Sequence, residues 1–273
     1  SHISGENLKG VVALKKQEVT RDDISRAVES ARTLAVIPHE RRILHVLPRE
    51  FMVDDQEGVR EPLGMSGNRL EVNVHVITGA VTSAQNIIKS VNRAGLDVVD
   101  IILQPLASSE AVLSAEEREL GVAMVDLGGG TTDLAIFLDG SIRHTAVLPI
   151  GGQNLTKDLA IGLLTSQTDA EKIKVQHGIA RTELVHGHQM VEVPSVGDRP
   201  PRQFTRRDIA EILEPRVEEM FDLVKREIVR AGYEGMLGAG VVITGGTSLL
   251  EGMPDAAERG LNLPARRGMP TGI

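Results

Sequence analysis

Val125-Asp126-Leu127-Gly128-Gly129-Gly130-Thr131-Thr132-Asp133 is the stretch that decides how this sequence is read. Apolar runs at 121–127 and 134–138 flank it and read as strands. Gly128, Gly129 and Gly130 let the backbone turn tightly and leave its N–H groups open to a ligand. Asp126 falls at a strand end, where a carboxylate can hold Mg²⁺ through water, because Mg²⁺ keeps much of its hydration shell. Thr131 and Thr132 offer hydroxyl donors to phosphate oxygens. Taken alone, the glycine run reads more readily as a plain hairpin turn.

A second segment changes that balance. Val241-Val242-Ile243-Thr244-Gly245-Gly246-Thr247-Ser248 is a buried-strand pattern running into paired glycines, where a flat base can lie on bare backbone beside Gly245, Gly246 and Thr247. Two such turns, far apart in sequence, suggest one clamp for a phosphate and a base. Neither follows the Walker pattern, which needs a Lys after its last glycine.

Composition bounds the rest. The chain has 273 residues, room for more than one domain. Hydrophobic residues make up 41% but aromatics only 2%, so packed cores must be built from Val, Ile, Leu and Ala. The absence of cysteine excludes disulfides and thiolate metal sites. A net charge of −8 opposes binding to duplex phosphates, so no nucleic-acid partner is expected. There is no apolar run of membrane-spanning length and no signal-peptide pattern, and a cytoplasmic protein is the expectation.

Along the chain, 10–14 is strand-like and 20–36 reads as a helix, with Thr20 as N-cap, Asp22 and Asp23 in the first turn, and Pro38 beyond its end. Residues 42–53 read as a strand interrupted at Pro48, and 58–68 as a loop. Leu70, Val72, Val74 and Val76 alternate with Glu71, Asn73 and His75, the period of a strand with one buried face. Then come a helix at 83–94, a strand at 98–103, a helix at 105–113 and a charged link at 116–119. Asp139-Gly140 marks a hairpin that returns through 142–148. A helix at 153–164, a short β unit within 182–204, a short helix at 207–213, a longer one from Pro215 to 231 and a buried strand at 240–244 complete the pattern. Strands interleaved with helices give an α/β class.

These residues carry a resemblance. Residues 126–133 look like the second phosphate motif of the actin, Hsp70 and sugar-kinase superfamily, and 244–248 like its adenosine motif. Within it the chain resembles the FtsA family of bacterial cell-division proteins through HVLPREFMVD, LASSEAVL, ERELGVAMVDLGGGTTDLAIF, VEVPSVGDRPPR and VVITGGTSLLEG. The resemblance implies an actin-like (ribonuclease-H-like) fold with the FtsA-type inserted subdomain. It implies subdomain 1C at 6–76, part of 1A at 77–118, 2A at 119–160 and 208–273, and 2B at 161–207. The family's first phosphate loop would precede residue 1. Its second connecting helix and amphipathic membrane helix would follow residue 273.

ATP and Mg²⁺ are the implied cofactors. Gln104 stands where relatives orient the hydrolytic water, although Gln104-Pro105 reads equally as a helix start. Glu171 and Lys174, three apart on one helix face, match a pair that faces ribose and adenine; a solvated charge pair is the alternative. His186 and His188 lack a third ligand and read as a polar loop. Arg199, Arg202, Arg206 and Arg207 form a basic cluster around Pro200-Pro201, and the resemblance puts it near a surface for the FtsZ tail.

The implied function is an ATP-binding scaffold that polymerises, binds the FtsZ C-terminal tail and meets other divisome proteins through 1C. It would tether the division ring to the inner membrane, peripheral on its cytoplasmic face, with slow hydrolysis at most. The rivals are a sugar kinase, for which no base or sugar pocket is marked, and a pilus-assembly or shape-determining actin homologue. The inserted segment at 6–76 speaks against the shape-determining one.

Overall fold

The computed structural model describes residues 3–197 and 199–270. It divides into two compact units, Ser1–Ala107 with Ala135–Ala146, and Ser108–Leu134 with Val147–Ile273. Residues 271–273, which the last implied subdomain includes, lie outside the described residues.

The first unit opens with β1 (Ile3–Ala13), α1 (Arg21–Thr33), β2 (Arg41–Val53), β3 (Gln56–Val59) and β4 (Arg69–Ala80). The strands form an antiparallel sheet in the order β1-β4-β2-β3. Leu70, Val72, Val74 and Val76 are fully buried in one core with Ala27 and Ala31 of α1, so the period-two reading of β4 selects the face that α1 covers. The expected cap of α1 is present. The Thr20 hydroxyl accepts the Asp23 N–H at 3.3 Å, and Asp23 Oδ2 accepts the Thr20 N–H at 3.0 Å. Bonds donated to Asp23 Oδ2 by the Thr20 hydroxyl and then by the Thr20 N–H hold the buried Asp23 carboxyl below its ordinary value.

Three expectations in this region change. β2 runs on through Pro48, because an irregularity in its register with β4 between Pro48 and Glu50 absorbs the missing N–H. β3 was not foreseen within the 58–68 loop and its approach. After α2 (Val81–Arg93), residues 98–103 form no strand, and Val99 is 99% exposed. An apolar run becomes a strand only where a neighbour takes its hydrogen bonds, and none pairs with it among the described residues.

α3 (Gln104–Val112) leads to the second unit, where the charged link is a helix, α4 (Ala115–Leu120), capped by Ser114 with Glu117. There follow β5 (Val122–Leu127), β6 (Thr132–Leu138), β7 (Ser141–Leu148), α5 (Gly152–Gly162) and α6 (Gln167–His177). β8 (Met190–Val193) and β9 (Arg202–Thr205) make the short β unit expected within 182–204. Next come α7 (Arg206–Arg230), β10 (Val241–Thr244), α8 (Met253–Leu261) and the unforeseen β11 (Ala265–Arg267). The order of the five-stranded sheet is β11-β10-β5-β6-β7, with β10 parallel to both β5 and β11. Every residue of β5 and β10 is buried, as a parallel strand covered on both faces requires.

The two expected helices around Pro215 are one, α7, with Pro215 exposed in its interior. Proline there removes a donor and costs about 3 kcal/mol. The apolar stripe Ile209, Leu213, Val217, Met220, Val224 and Ile228 is buried on both sides of it, and that packing outweighs the local break.

The distal part of the β6–β7 hairpin belongs to the first unit and meets the polar face of its sheet. His75 Nε2 lies 3.0 Å from Thr145 Oγ1, and Ser141 donates to the Arg49 carbonyl at 2.9 Å. No helix among the described residues is long and apolar enough to cross a membrane.

Candidate functional site

The decisive turn is a junction of backbone in the second unit. Gly128 N–H donates to the Thr131 carbonyl at 3.0 Å and closes the turn between β5 and β6. Gly129 and Gly130 are exposed, and a side chain at either would point into open space. The start of α5 reaches the turn from one side: Gly152 N–H donates to the Gly128 carbonyl at 2.9 Å and Gln153 N–H to that of Gly129 at 2.8 Å. A Cβ on Gly151 would stand 2.6 Å from the Gly129 oxygen, so only glycine allows this approach. From another side the Thr247 hydroxyl donates to the Gly128 carbonyl at 3.0 Å. Gly245, at φ 84°, lies against Asp126 Oδ1, and a Cβ there would be 2.6 Å from the Leu127 oxygen. Thr247 sits in a 3₁₀ turn, Gly246–Leu249.

Thr132 requires a correction. It is fully buried and its hydroxyl donates to the Ile150 carbonyl at 2.8 Å, so its one proton braces the turn and is not free for a phosphate. Sequence reading also missed the pair Gly151-Gly152, although paired glycine before a helix was available as the signal.

Glu171 and Lys174 on α6 are not merely a solvated pair. Lys174 Nζ lies 2.8 Å from Glu171, 3.0 Å from the Gly152 carbonyl and 2.9 Å from the Thr156 hydroxyl. Burial works to raise the Glu171 carboxyl, but hydrogen bonds from Lys174 and Thr156 outweigh it and hold the group below its ordinary value.

Behind the turn are two buried carboxylates. Ser108 donates to Asp126 Oδ2 at 2.8 Å. Burial, then the charge of Asp126, pushes Asp133 up to about 6, against a weak 3.5 Å contact from Thr131. Sequence reading passed over Asp133, although a second carboxylate entering the strand that leaves the turn was there as a signal.

A cavity of about 460 Å³ gathers Gly129, Glu171, Lys174, Gly246 and Thr247 on one wall system. That volume is in the range of small-molecule sites. Val175 and Leu249 add exposed apolar edges to it. Asp126, Gly128, Gly130, Thr131 and Gly245 build the turn but do not line the cavity. Gln104 is the exposed first residue of α3, in the first unit. The arginines of the basic cluster have different partners. Arg202 donates to the Leu163 carbonyl and lies 5.3 Å from the Phe204 ring centroid, beside a separate groove of about 480 Å³. Arg206 lines the first cavity, and Arg207 pairs with Glu211 at 3.3 Å.

Open glycine backbone, a lysine ammonium and apolar edges fit a ligand with phosphates and a flat ring. A divalent cation also fits the chemistry, since it would relieve the charge that Asp126 and Asp133 impose on each other. Among the described residues no group of three or more metal-ligating side chains occurs. A cation here would depend on water and ligand oxygens, as Mg²⁺ commonly does.

Comparison with known proteins places the chain. The family model "Cell division protein FtsA" matches residues 123–272, and "SHS2 domain inserted in FTSA" matches residues 1–78. The cell division protein FtsA of Pseudomonas aeruginosa is 50% identical over 273 residues, covering 100% of this chain and 65% of the relative. Those of Neisseria meningitidis and Escherichia coli K12 are 45% and 44% identical, covering 99% and 100% of this chain and 65% and 66% of the relatives. The chain thus spans about two thirds of the length of these relatives. Among solved structures, a PilM-PilN type IV pilus biogenesis complex matches with TM-score 0.65 and 16% identity, over 97% of this chain and 66% of that one. MreB5 of Spiroplasma citri bound to ADP matches with TM-score 0.57 and 18% identity, over 70% of this chain and 61% of that one. At such identities the likeness shows the fold alone, and the fold is actin-like with an SHS2 domain. Family follows from the far higher identity: the chain belongs to the cell division protein FtsA family.

Proposed function

We propose that this chain is the nucleotide-gripping part of an actin-like cell-division scaffold. The observation that carries the reading is the cavity that unites Gly129, Glu171, Lys174, Gly246 and Thr247 from three distant segments. In this reading ATP lies with its phosphates at Gly128–Gly130 and Thr131, and its ribose and base between α6 and the Gly245–Thr247 turn. Lys174 and Glu171 orient the ribose side, and Val175 and Leu249 flank the base. Bound Mg²⁺ would supply charge neutralisation at the phosphates, with Asp126 and Asp133 as its protein carboxylates. Gln104 is kept as the residue that orients water for slow hydrolysis.

The same reading includes the subdivision into 6–76, 77–118, 119–160, 161–207 and 208–273. It also includes self-association into filaments, contacts of the inserted subdomain with other divisome proteins, and attachment at the cytoplasmic face of the inner membrane through a C-terminal amphipathic helix. For the FtsZ tail we favour the groove lined by Leu164, Val196, Pro200, Arg199 and Arg202, since apolar residues and arginines suit an acidic, apolar-anchored peptide.

Titration of a fluorescent ATP analogue against the natural full-length protein, with Mg²⁺, tests the cavity. Lys174→Met is expected to weaken binding by about tenfold, because it removes both the ammonium charge and the bonds to Glu171, Gly152 and Thr156 that set this wall of the cavity. Equal affinity in the folded variant would remove the pocket from consideration. Titration of an FtsZ tail peptide against Arg199→Ala and Arg202→Ala variants separately tests the groove.

A further inference from the structure

Arg206 opens α7 and lines the cavity, yet it belongs to none of the segments from which the ligand-facing set was drawn. Its Nε–H donates to the carbonyl of His177 at 3.0 Å, and its Nη2 bonds the carboxylate of Glu251. His177 is the last residue of α6, the helix that carries Glu171 and Lys174. Glu251 follows the 3₁₀ turn that carries Gly246 and Thr247, and its own carbonyl accepts the Ala180 N–H at 2.8 Å. One guanidinium therefore spans the two walls of the cavity.

The chemistry suits this arginine. Its planar fork can serve two acceptors at once, which an ammonium on a flexible stem does less well. The carbonyl at a helix C-terminus bears partial negative charge and favours a cation. The Arg206 side chain is 20% exposed and that of Glu251 57%, so the pair is reachable by salt.

We infer that Arg206 is a positioning residue of the nucleotide pocket, a clasp that holds α6 against the 246–251 segment and sets how long a nucleotide stays bound. The inference rests on the nucleotide reading of the cavity. The clasp lines the cavity and joins its two walls. It opposes the separation of the walls through which a bound molecule leaves, so its loss acts on dissociation more than on association.

Stopped-flow displacement of a fluorescent ATP analogue from the natural full-length protein, with Mg²⁺, reads this directly. Arg206→Met is expected to speed dissociation about fivefold, the scale of a partly exposed ion pair with an added hydrogen bond, and to leave association within about twofold. Glu251→Gln should do less, because the His177 bond remains. The double variant should be no faster than Arg206→Met, because the two groups act as one unit. Dissociation from the wild type should quicken as salt rises, and dissociation from Arg206→Met should not; a merely structural arginine would not shift that slope. Arg206→Lys, which keeps the charge and loses the fork, should fall between, and it carries the test should Arg206→Met fail to fold. Wild-type dissociation and salt slope in folded Arg206→Met or Arg206→Lys, alongside lost binding in Lys174→Met, would overturn the clasp and leave the pocket. Absence of nucleotide binding in the wild type would remove the pocket reading and the clasp with it.

Discussion

His75 in the first unit and Asp133 in the second are both buried titratable groups, and they are satisfied to very different degrees. His75 is 1% exposed, with Nδ1 2.7 Å from Asn7 Oδ1 and Nε2 3.0 Å from Thr145 Oγ1. Burial, with the nearby positive charge of His144 and Arg49, pushes it down to about 4, so it is a neutral strut with both nitrogens occupied. Asp133 is 5% exposed, has one long contact to Thr131, and shares its surroundings with Asp126. A fully partnered buried group spends its polarity on architecture. A poorly partnered one beside a like charge keeps its electrostatic cost, which a neighbouring positive charge would relieve.

The contrast breaks most visibly at His75. His75→Leu leaves Asn7 and Thr145 without their partner and is expected to destabilise the first unit by about 2–4 kcal/mol, read by denaturant unfolding. Nucleotide affinity should not change; a drop of tenfold or more would make His75 more than architecture.

Asp133→Asn should act in the opposite direction. With a folded value of about 6 against an unfolded value near 3.8, Asp133 retains a proton the unfolded chain has lost. Its burden on stability is absent at low pH, grows as pH rises through that window and is complete above it. The asparagine variant should gain up to about 3 kcal/mol near pH 7.5 without Mg²⁺, and nothing near pH 3.5. For His75 the sign reverses. Stability is full above about 6.5 and is lost as pH falls toward 4, so wild-type and Asp133→Asn unfolding compared across pH 4–7 separates the two groups. A variant with an unchanged pH profile would show that Asp133 is not held protonated.

The smallest expected effect concerns the cation. Asp126→Ala should lower ATP affinity by about 10–100-fold with Mg²⁺ present, and by much less in EDTA. Calorimetry with and without metal checks it, and equal losses in both conditions would place Asp126 in the framework beside His75.

The sequence made one side of this contrast easy to read. Alternation along β4 gave its buried face, and Thr20 with Asp23 gave the start of α1, because periodicity and capping are local properties. The glycine turns were legible for the same reason, as was the pairing of Glu171 with Lys174 three residues on. What failed depended on neighbours distant in sequence. The 98–103 run reads as a strand but has no paired neighbour among the described residues, and Pro215 reads as a boundary but is overridden by the packing on either side of it. Arg202 and Arg206 look like one cluster, yet four residues of β9 and the start of α7 send one to the groove and the other to the cavity. The raised proton affinity of Asp133 was not legible, because burial and the neighbouring Asp126 cause it and its place in the motif does not show them.

The interlocked glycines divide mutational constraint into two kinds. At Gly151 and Gly245 any side chain would meet backbone carbonyls, so a scan of substitutions selected for protein abundance alone should reject every alternative there. At Gly129 and Gly246 the same added carbon meets nothing within 4 Å. Those two positions should tolerate alanine and serine under selection for abundance and lose that tolerance when cells must divide with the variant. Comparing the two selections, position by position, would separate what the chain needs in order to exist from what it needs in order to act.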